Sequence, residues 1–221
     1  MNISITIPTI RNKQEIQPLI DELQVSISYT NRKSDFNVIE TIASCKKVSA
    51  SINRNWCIDN AKGDIIIMID DDVHVVEQDW IIKLVKPLIE YQDKISIIAP
   101  RLTDRNKNPA PQLGNNGWYP LIEDKEYLKV ATHTPETKLN VVCSACICFY
   151  KNNGVRFNEN YPDACFEDTH YSMDTNKKFP NKKIIINESS KLMHLNEGKW
   201  RKGGTWHQNR AYFNKCWGTN L

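Results

Sequence analysis

The chain has 221 residues, of which 40% are hydrophobic and 25% are charged, proportions that are ordinary for a globular protein with one substantial core. Its net charge of +3 is too small to indicate nucleic-acid binding on its own. No apolar run approaches the roughly 20 residues that span a bilayer, and the first residues lack the regions of a signal peptide. The seven cysteines do not resemble a disulfide scaffold, so we expect reduced thiols and a cytoplasmic protein.

The first hundred residues alternate between predicted strands and helices. A β-branched strand over residues 2–8 ends at Pro8, and apolar residues at helical spacing predict a helix over 14–24. The next expected elements are strands at 25–29 and 38–43, a helix at 48–61 with Gly63 in a C-cap role, a strand at 64–69, a helix at 79–91 and a strand at 95–99. This order predicts an α/β fold with parallel strands.

The pattern fades between residues 101 and 137, which are rich in Pro, Asn and Gly and carry no readable motif. It returns with a predicted strand at 141–150, a helix at 168–177, a strand at 183–187 and a closing amphipathic helix at 205–217. We therefore expect one domain whose first half is the regular α/β part.

Three adjacent aspartates follow the apolar strand at 64–69. Ligand sites in open α/β sheets lie beyond the carboxyl ends of the strands, where these side chains sit. Because strand side chains alternate, Asp70 and Asp72 point to one side and Asp71 to the other. Two carboxylates on one side repel each other unless a cation lies between them, and Mg²⁺ or Mn²⁺ prefers oxygen ligands. The pattern indicates a metal–diphosphate site, with a turn or helix N-cap that tolerates acid as the alternative.

Four stretches of the chain resemble, in the same order, family 2 glycosyltransferases, which have the GT-A fold. They are ITIPTIRN, SINRNWCIDNAKGDIIIMIDDDV, VVCSACICFYKNNGVRFNENYPDACFEDTHYSMD and NRAYFNKCWG. The resemblance implies a single α/β domain with a GT-A (Rossmann-like) fold and a mixed, mostly parallel central sheet flanked by helices. Residues 1–100 would form its nucleotide-sugar-binding half, and residues 101–221 its acceptor-binding and catalytic half.

The same resemblance implies roles for individual residues. Nucleotide-sugar contacts would come from Pro8, Thr9, Arg11, Arg54, Asn55, Asp70 and Asp71. Asp72 would hold Mn²⁺ or Mg²⁺ together with Asp70 and His194, and Asp168 would be the general base beside Glu167. Taken alone, His194 fits a structural histidine, and the acidic pair fits a helix N-terminus, where the helix dipole favours acids.

A glycine-rich segment, NEGKWRKGGTW at residues 196–206, permits a mobile loop. In it, Trp200 would cover the bound donor and Arg201 would reach its diphosphate, so that closure excludes water. A simple exposed basic loop explains the segment equally well.

The spacing Cys143-x-x-Cys146-x-Cys148 invites a zinc site. In an extended strand Cys143 faces away from the other two, so the three thiols cannot bind one ion without a bulge. Buried thiols acting as small hydrophobes are preferred.

The chain departs from the family pattern where the nucleotide base would bind. Family members usually end the second strand in acids that hold the base, whereas this chain has Asn31, Arg32 and Lys33 there, so UDP is only the default donor nucleotide.

The predicted function is metal-dependent, inverting sugar transfer from a nucleotide-sugar, UDP-sugar by default, to an acceptor hydroxyl, as in hexosyltransferases. The resemblance implies a saccharide or glycolipid acceptor, and a hydroxylated base in viral DNA, modified in the host cytoplasm, is an alternative. Nucleotidyl or phosphoryl transfer would also use paired aspartates, but it normally brings a Gly-rich or Lys-bearing loop after the first strand, and PTIRNKQEIQP has no glycine. A non-catalytic module that binds sugar or nucleic acid is the remaining alternative.

Overall fold

The computed structural model describes residues 1–109, 116–132, 139–195 and 205–219. The strands are β1 Asn2–Ile7, β2 Asn37–Ala43, β3 Ile65–Ile69, β4 Val73–Val75, β5 Ile95–Thr103, β6 Asn116–Pro120, β7 Leu128–Thr132, β8 Cys146–Tyr150 and β9 Lys183–His194. The helices are α1 Gln17–Lys33, α2 Ala50–Asn60, α3 Trp80–Glu90, α4 Glu167–Lys178 and α5 Thr205–Trp217. Of the predicted site residues, Trp200 and Arg201 lie outside the described residues.

The strands form one sheet in the order β2-β1-β3-β8-β5-β9-β7-β6, and β4 pairs with β9. Parallel pairing joins β1 to β2, β1 to β3, and β5 to β9. The other pairs are antiparallel: β8 runs between β3 and β5 in the opposite direction, and β4 with β9, β6 with β7, and β7 with β9 are also antiparallel. The predicted α/β fold with a mixed sheet is confirmed, with one correction of detail. Parallel pairs do not predominate among the described strands, although β1, β2 and β3 pair in parallel as expected.

Strand β3 lies at the centre of the core, and all five of its residues are buried. Ile65, Ile67 and Ile69 pack on one face of the sheet with apolar residues of α1 and α3. Ile66 and Met68 pack on the other face with residues of α2 and α4. Burying each such side chain stabilises the fold by about 1.5–3 kcal/mol. This two-sided burial fixes the orientation of the residues that follow the strand, which are the three aspartates.

The prediction of a helix at 14–24 followed by a strand at 25–29 is wrong, since α1 continues to Lys33. The alternation in VSISY is typical of a strand, but the same residues on a helix also present a face that can pack against the sheet. The buried residues of α1 are Leu19, Leu23, Ser26 and Thr30, which follow helical spacing, whereas Val25 is 52% exposed. On the buried face of α1, the small hydroxyl side chains of Ser26 and Thr30 thus occupy positions where apolar side chains are expected. Among the described residues, no helix is both long and apolar enough to cross a membrane.

Gly63 is required for a reason other than the predicted C-cap. Helix α2 ends at Asn60, with Ala61 in an extended conformation as its C-cap. A Cβ atom at Gly63 would lie 2.5 Å from the backbone nitrogen of Ser4 and 2.7 Å from the carbonyl carbon of Ile3. Because Gly63 has no side chain, the backbone that leads into β3 can pass directly against β1.

Candidate active site

The three aspartates follow β3 at its carboxyl end, but they lie in a turn, in which the Val73 backbone nitrogen donates to the Asp70 carbonyl oxygen at 3.3 Å, and not in the extended conformation that the prediction assumed. One donor atom each from Asp70, Asp72 and His194 lies within 4.8 Å of the others. Asp71 points away and accepts a hydrogen bond from the hydroxyl group of Thr9. Two carboxylates and one imidazole offer oxygen and nitrogen ligands that Mn²⁺ or Mg²⁺ accepts, and a cation between them would relieve the repulsion between the carboxylates. The residues therefore fit a divalent metal site.

The short strand β4 explains how His194 reaches the aspartates. Val73, the first residue of β4, pairs with His194 at the end of β9. The backbone nitrogen of Leu195 donates to the carbonyl oxygen of Asp72 at 3.1 Å. The Nε2 atom of His194 then lies 2.9 Å from Oδ1 of Asp72, and the imidazole is only 8% exposed. Strand β4 has three residues and was not predicted from the sequence.

A second small cluster forms on the other side of the aspartates. The Thr9 hydroxyl, which donates to Asp71, accepts a hydrogen bond from the backbone nitrogen of Arg11 at 2.9 Å. The Nε atom of Arg11 lies 3.5 Å from Oδ2 of Asp71. Pro8, the residue before Thr9, is half-buried at the end of β1. Four of the predicted nucleotide-sugar-binding residues thus lie together at one edge of the sheet.

Arg54 connects the aspartates to the predicted general-base pair. Its Nη2 lies 3.1 Å from Oδ1 of Asp70, and its Nη1 lies 2.6 Å from Oε1 of Glu167. The residue is 5% exposed, so the guanidinium is held between two carboxylates away from water. A buried charge is tolerated when it is paired and hydrogen-bonded in this way. Arg54 therefore lies in the site, but it contacts acidic side chains within the protein.

Burial and the positive charge of Arg54 shift the pKa values of Asp70 and Glu167 in opposite directions. Burial raises the pKa of Asp70 to about 6, while the Arg54 guanidinium acts in the opposite direction. Burial likewise raises the pKa of Glu167 to about 7, with Arg54 again opposing the shift. Burial disfavours the charged form of Arg54, but Asp70 and Glu167 outweigh it and raise the pKa of the guanidinium above its ordinary value. Arg54 thus remains a permanent positive charge behind the aspartates.

Glu167 and Asp168 begin α4, and the structure distinguishes them. Glu167 is 2% exposed and bonded to Arg54. Asp168 is half-buried, and its Oδ1 accepts a hydrogen bond from the backbone nitrogen of Thr169 at 2.7 Å. Both acids also lie in the first helical turn, where they favour the helix dipole. Of the two residues, Asp168 is the more exposed.

Asn55 makes contacts with the protein rather than with the site. Its Nδ2 donates to the carbonyl oxygen of Phe157 at 2.9 Å and to Oε1 of Glu159 at 2.7 Å. Its Oδ1 accepts from the backbone nitrogen of Phe157 at 2.9 Å. Because both ends of this buried amide are engaged, Asn55 holds the segment that precedes α4, and we assign it no nucleotide contact.

The cysteines of the 143–148 segment do not share one extended strand, because β8 begins at Cys146, and partly buried Cys143 packs against the same core cluster as the other two. Cys146 and Cys148 are buried in the core on β8. Cys143 lies before β8, at the edge where Asp70 donates its backbone N–H to the Ala145 carbonyl oxygen at 2.8 Å. Burial, and secondarily the Asp168 carboxylate, raises the pKa of Cys143 well above its ordinary value. This neutral thiol beside the site was not predicted, although the antiparallel pairing of β3 and β8 dictates its position.

Comparison with known proteins agrees with this geometry. The model of the family described as glycosyl transferase family 2 matches residues 24–151, more than half of the chain. Among solved structures, S. aureus TarS has a TM-score of 0.62 at 11% identity, covering 97% of this chain and 39% of TarS. The present chain therefore spans well under half the length of that protein.

Two other solved structures contain ligands. Glucosyl-3-phosphoglycerate synthase from Mycobacterium tuberculosis, in complex with Mn²⁺, UDP-glucose and phosphoglyceric acid, has a TM-score of 0.58 at 16% identity, covering 100% of this chain and 81% of the synthase. A Drosophila β-1,4-galactosyltransferase 7 variant, in complex with manganese, UDP-Gal and xylobiose, has a TM-score of 0.55 at 10% identity, covering 91% of this chain and 73% of the enzyme. At these identities the likeness shows the shared fold. A search of curated protein sequences gives no match.

Proposed function

Since the chain belongs to glycosyl transferase family 2, we propose that it transfers a sugar from a nucleotide-sugar to an acceptor hydroxyl group with inversion, using Mn²⁺ or Mg²⁺. The observation that carries this proposal is the convergence of Asp70, Asp72 and His194 within 4.8 Å at the edge of the sheet where Arg54 also reaches Glu167. Residues of the first half would bind the donor, and Asp168 of the second half would act on the acceptor.

On the donor side, Asp70, Asp72 and His194 would hold the cation, and Thr9, Arg11 and Asp71 would line the adjacent nucleotide site. A bound Mn²⁺ or Mg²⁺ supplies positive charge that stabilises the departing nucleoside diphosphate. The Arg11 side chain is about one-third exposed, at 32%, so its guanidinium is accessible to a phosphate group. Arg54 holds Asp70 in place from behind and keeps a positive charge near the reacting groups.

On the acceptor side, Asp168 would take the proton from the attacking hydroxyl group. A general base needs a carboxylate at hydrogen-bond distance from that proton, and Asp168 is the more exposed member of the acidic pair. Its Oδ1 accepts a hydrogen bond from the Thr169 backbone nitrogen, and this contact orients the carboxylate. Glu167 would not exchange protons with the substrate, because it is buried against Arg54. It would instead orient Arg54 and thereby connect the two halves of the site.

UDP is the nucleotide that we propose first, since UDP-sugars occur in the complexes of the synthase and the galactosyltransferase. For the acceptor we propose a saccharide or glycolipid. The acceptors in those two complexes are phosphoglyceric acid and xylobiose, so they lend no support to a hydroxylated DNA base.

The test is to incubate the protein with Mn²⁺ and a panel of nucleotide-sugars, with and without candidate saccharides, and to measure the released nucleotide. Free nucleoside diphosphate, by transfer or slow hydrolysis, is expected, and it should disappear when the metal is chelated. Release of pyrophosphate would instead identify nucleotidyl transfer. Binding of a nucleotide-sugar without any release, with every acceptor tried, would favour a non-catalytic binding module.

A further inference from the structure

Two consecutive residues in an unusual backbone conformation precede the acidic pair. Cys165 has φ of 87° and Phe166 has φ of 69°, both in the left-handed region that side chains other than glycine rarely adopt. Phe166 is the residue from which α4 begins, so Glu167 and Asp168 follow it directly. Such a turn persists only when its surroundings hold it in place, and strained backbone of this kind is concentrated at functional sites.

Helix α5 supplies the hydrogen bonds that hold the backbone of this turn. The Nδ2 atom of Asn209 lies 3.0 Å from the carbonyl oxygen of Ala164 and 3.0 Å from that of Cys165. Asn209 is 1% exposed, so these bonds are shielded from water. A side-chain amide nitrogen carries two N–H donors, which matches the two carbonyl groups that the left-handed turn directs toward the helix.

The same face of α5 also holds the side chain of the turn. The ring of Phe166 lies 5.8 Å from that of Trp206 and 5.5 Å from that of Phe213, measured between centroids. Trp206, Asn209 and Phe213 are spaced by three and four residues, so they share one helical face. The C-terminal helix thus contacts both the backbone and the ring of the turn before α4.

We propose that Asn209 is a positioning residue for the reaction, which fixes the left-handed turn at Cys165 and Phe166 so that Asp168 is directed at the acceptor hydroxyl. This role rests on the sugar transfer proposed above. It gives a function to the stretch NRAYFNKCWG, whose first residue is Asn209. The residue acts through the backbone, and it touches neither donor nor acceptor.

Kinetics of Asn209 variants test this role. Asn209→Ala should lower kcat by on the order of 100-fold, as expected for a misplaced catalytic group, while leaving the KM for the donor and the Mn²⁺-dependent affinity for UDP unchanged. Asn209→Asp should lose more activity, because its carboxylate would face two carbonyl oxygens. Gln208→Ala is the matched control, since Gln208 is the preceding residue on α5 and is exposed. Wild-type kcat in Asn209→Ala, or a parallel loss of UDP affinity, would overturn the assignment.

Rescue distinguishes positioning from general stabilisation of the fold. Glycine adopts positive φ at no steric cost, so Cys165→Gly placed in the Asn209→Ala background should restore part of the lost kcat. A variant that only loosened the core would gain nothing from this change, and absence of recovery would contradict the proposal. If Asn209→Ala fails to fold, Asn209→Ser, a smaller change that keeps one donor, takes its place in both measurements.

Amide hydrogen exchange separates this inference from the proposed function, because it needs no substrate. Asn209→Ala should accelerate exchange at residues 165–170 while leaving β3 as protected as in the wild type. Unchanged exchange at 165–170 would overturn the role of Asn209 even if the wild type transfers sugar. Accelerated exchange in a protein whose wild type releases no nucleotide would overturn the proposed function, while still showing that Asn209 holds the turn before α4.

Discussion

Arg54 and Glu167, which are 113 residues apart in sequence, form a buried ion pair with 2.6 Å between Nη1 and Oε1. The arginine side chain is 6% exposed and the glutamate side chain 3%. Removing one partner of such a pair leaves an uncompensated buried charge, which is far more costly than losing a pair on the surface. The stability of the fold therefore depends on residues of the site. The pair also joins the first half of the chain, which contains Arg54, to the second half, which contains Glu167.

Arg54→Met should lower the free energy of unfolding by about 3 kcal/mol or more, measured by urea denaturation. The double variant Arg54→Met/Glu167→Gln should lose less than the sum of the single variants, with a coupling of about 0.5–3 kcal/mol. Asp59→Asn is the control, because it breaks an exposed pair with Arg156 and should cost less than about 1 kcal/mol. Additive single effects would show that the two side chains do not act as a pair.

Asp72→Asn should weaken Mn²⁺-dependent binding of UDP by about 100-fold or more, since even residues that only support metal ligands often contribute 10–100-fold. Calorimetry with and without Mn²⁺ measures the effect, and His194→Gln should behave in the same way. Asp93→Asn, in the exposed turn before β5 and thus at the opposite end of that strand from Thr103, is the control. Equal UDP affinity in Asp72→Asn and the wild type would exclude Asp72 as a metal ligand.

Asp168→Asn should retain Mn²⁺-dependent UDP binding and lower kcat by about 10²–10⁴-fold, the usual contribution of a general base. The amide is nearly the same size as the carboxylate but cannot accept the proton. Asp174→Asn, on the same helix and 40% exposed at its side chain, is the matched control and should keep its activity. Turnover near the wild-type value in Asp168→Asn would assign the base elsewhere.

The buried His170 should make the fold less stable in mild acid. Its Nδ1 lies 3.0 Å from the Tyr161 hydroxyl group, and burial lowers the pKa of the imidazole, with Asp174 opposing the shift. The unfolded chain, in which histidine has a pKa near 6.5, therefore binds more protons below that pH, and stability falls as the pH decreases. About one pH unit or more above 6.5 the imidazole is largely neutral in both states, and the residue contributes little pH dependence.

Urea unfolding at pH 7.5 and 5.5 measures this effect. Between these two pH values, His170→Gln should reduce the acid-induced loss of unfolding free energy by at most about 1.4 kcal/mol, which is the free energy of one proton over one pH unit. His207→Gln, which changes an exposed histidine on α5, should leave the loss unchanged. An identical loss in His170→Gln and the wild type would show that His170 binds a proton equally well in both states.

Gly63→Ala should lower the free energy of unfolding by about 1–3 kcal/mol, the usual cost of forcing an extra group into a packed interior. The atoms that the new Cβ would meet belong to the backbone of Ile3 and Ser4, so no flexible side chain can move aside. Thermal or urea denaturation checks the prediction. A wild-type midpoint would show that β1 can shift to accommodate the methyl group.

The chemistry of the site was more predictable than its supporting contacts. The apolar run of β3 predicts that the three aspartates lie at its carboxyl end, although it does not predict the turn that they form there. The resemblance to family members implies the role of His194. The extent of α1 was not predictable from the pattern, because Ser26 and Thr30 occupy positions where apolar residues are expected. The contact between Arg54 and Glu167 depends on packing between α2 and α4, which no local pattern encodes.

If Asp70, Asp72 and His194 bind a cation as proposed, the pairing of β4 with β9 also sets the order in which this site can form during synthesis. A growing chain exposes Asp70 and Asp72 long before residue 194 is translated, and Asp72 and His194 are 122 positions apart. Until β9 is added beside β4, the nascent polypeptide holds two acidic ligands without the imidazole. Coordination of the proposed cation by all three residues would therefore be a late event in biogenesis, possible only after translation has passed the end of β9.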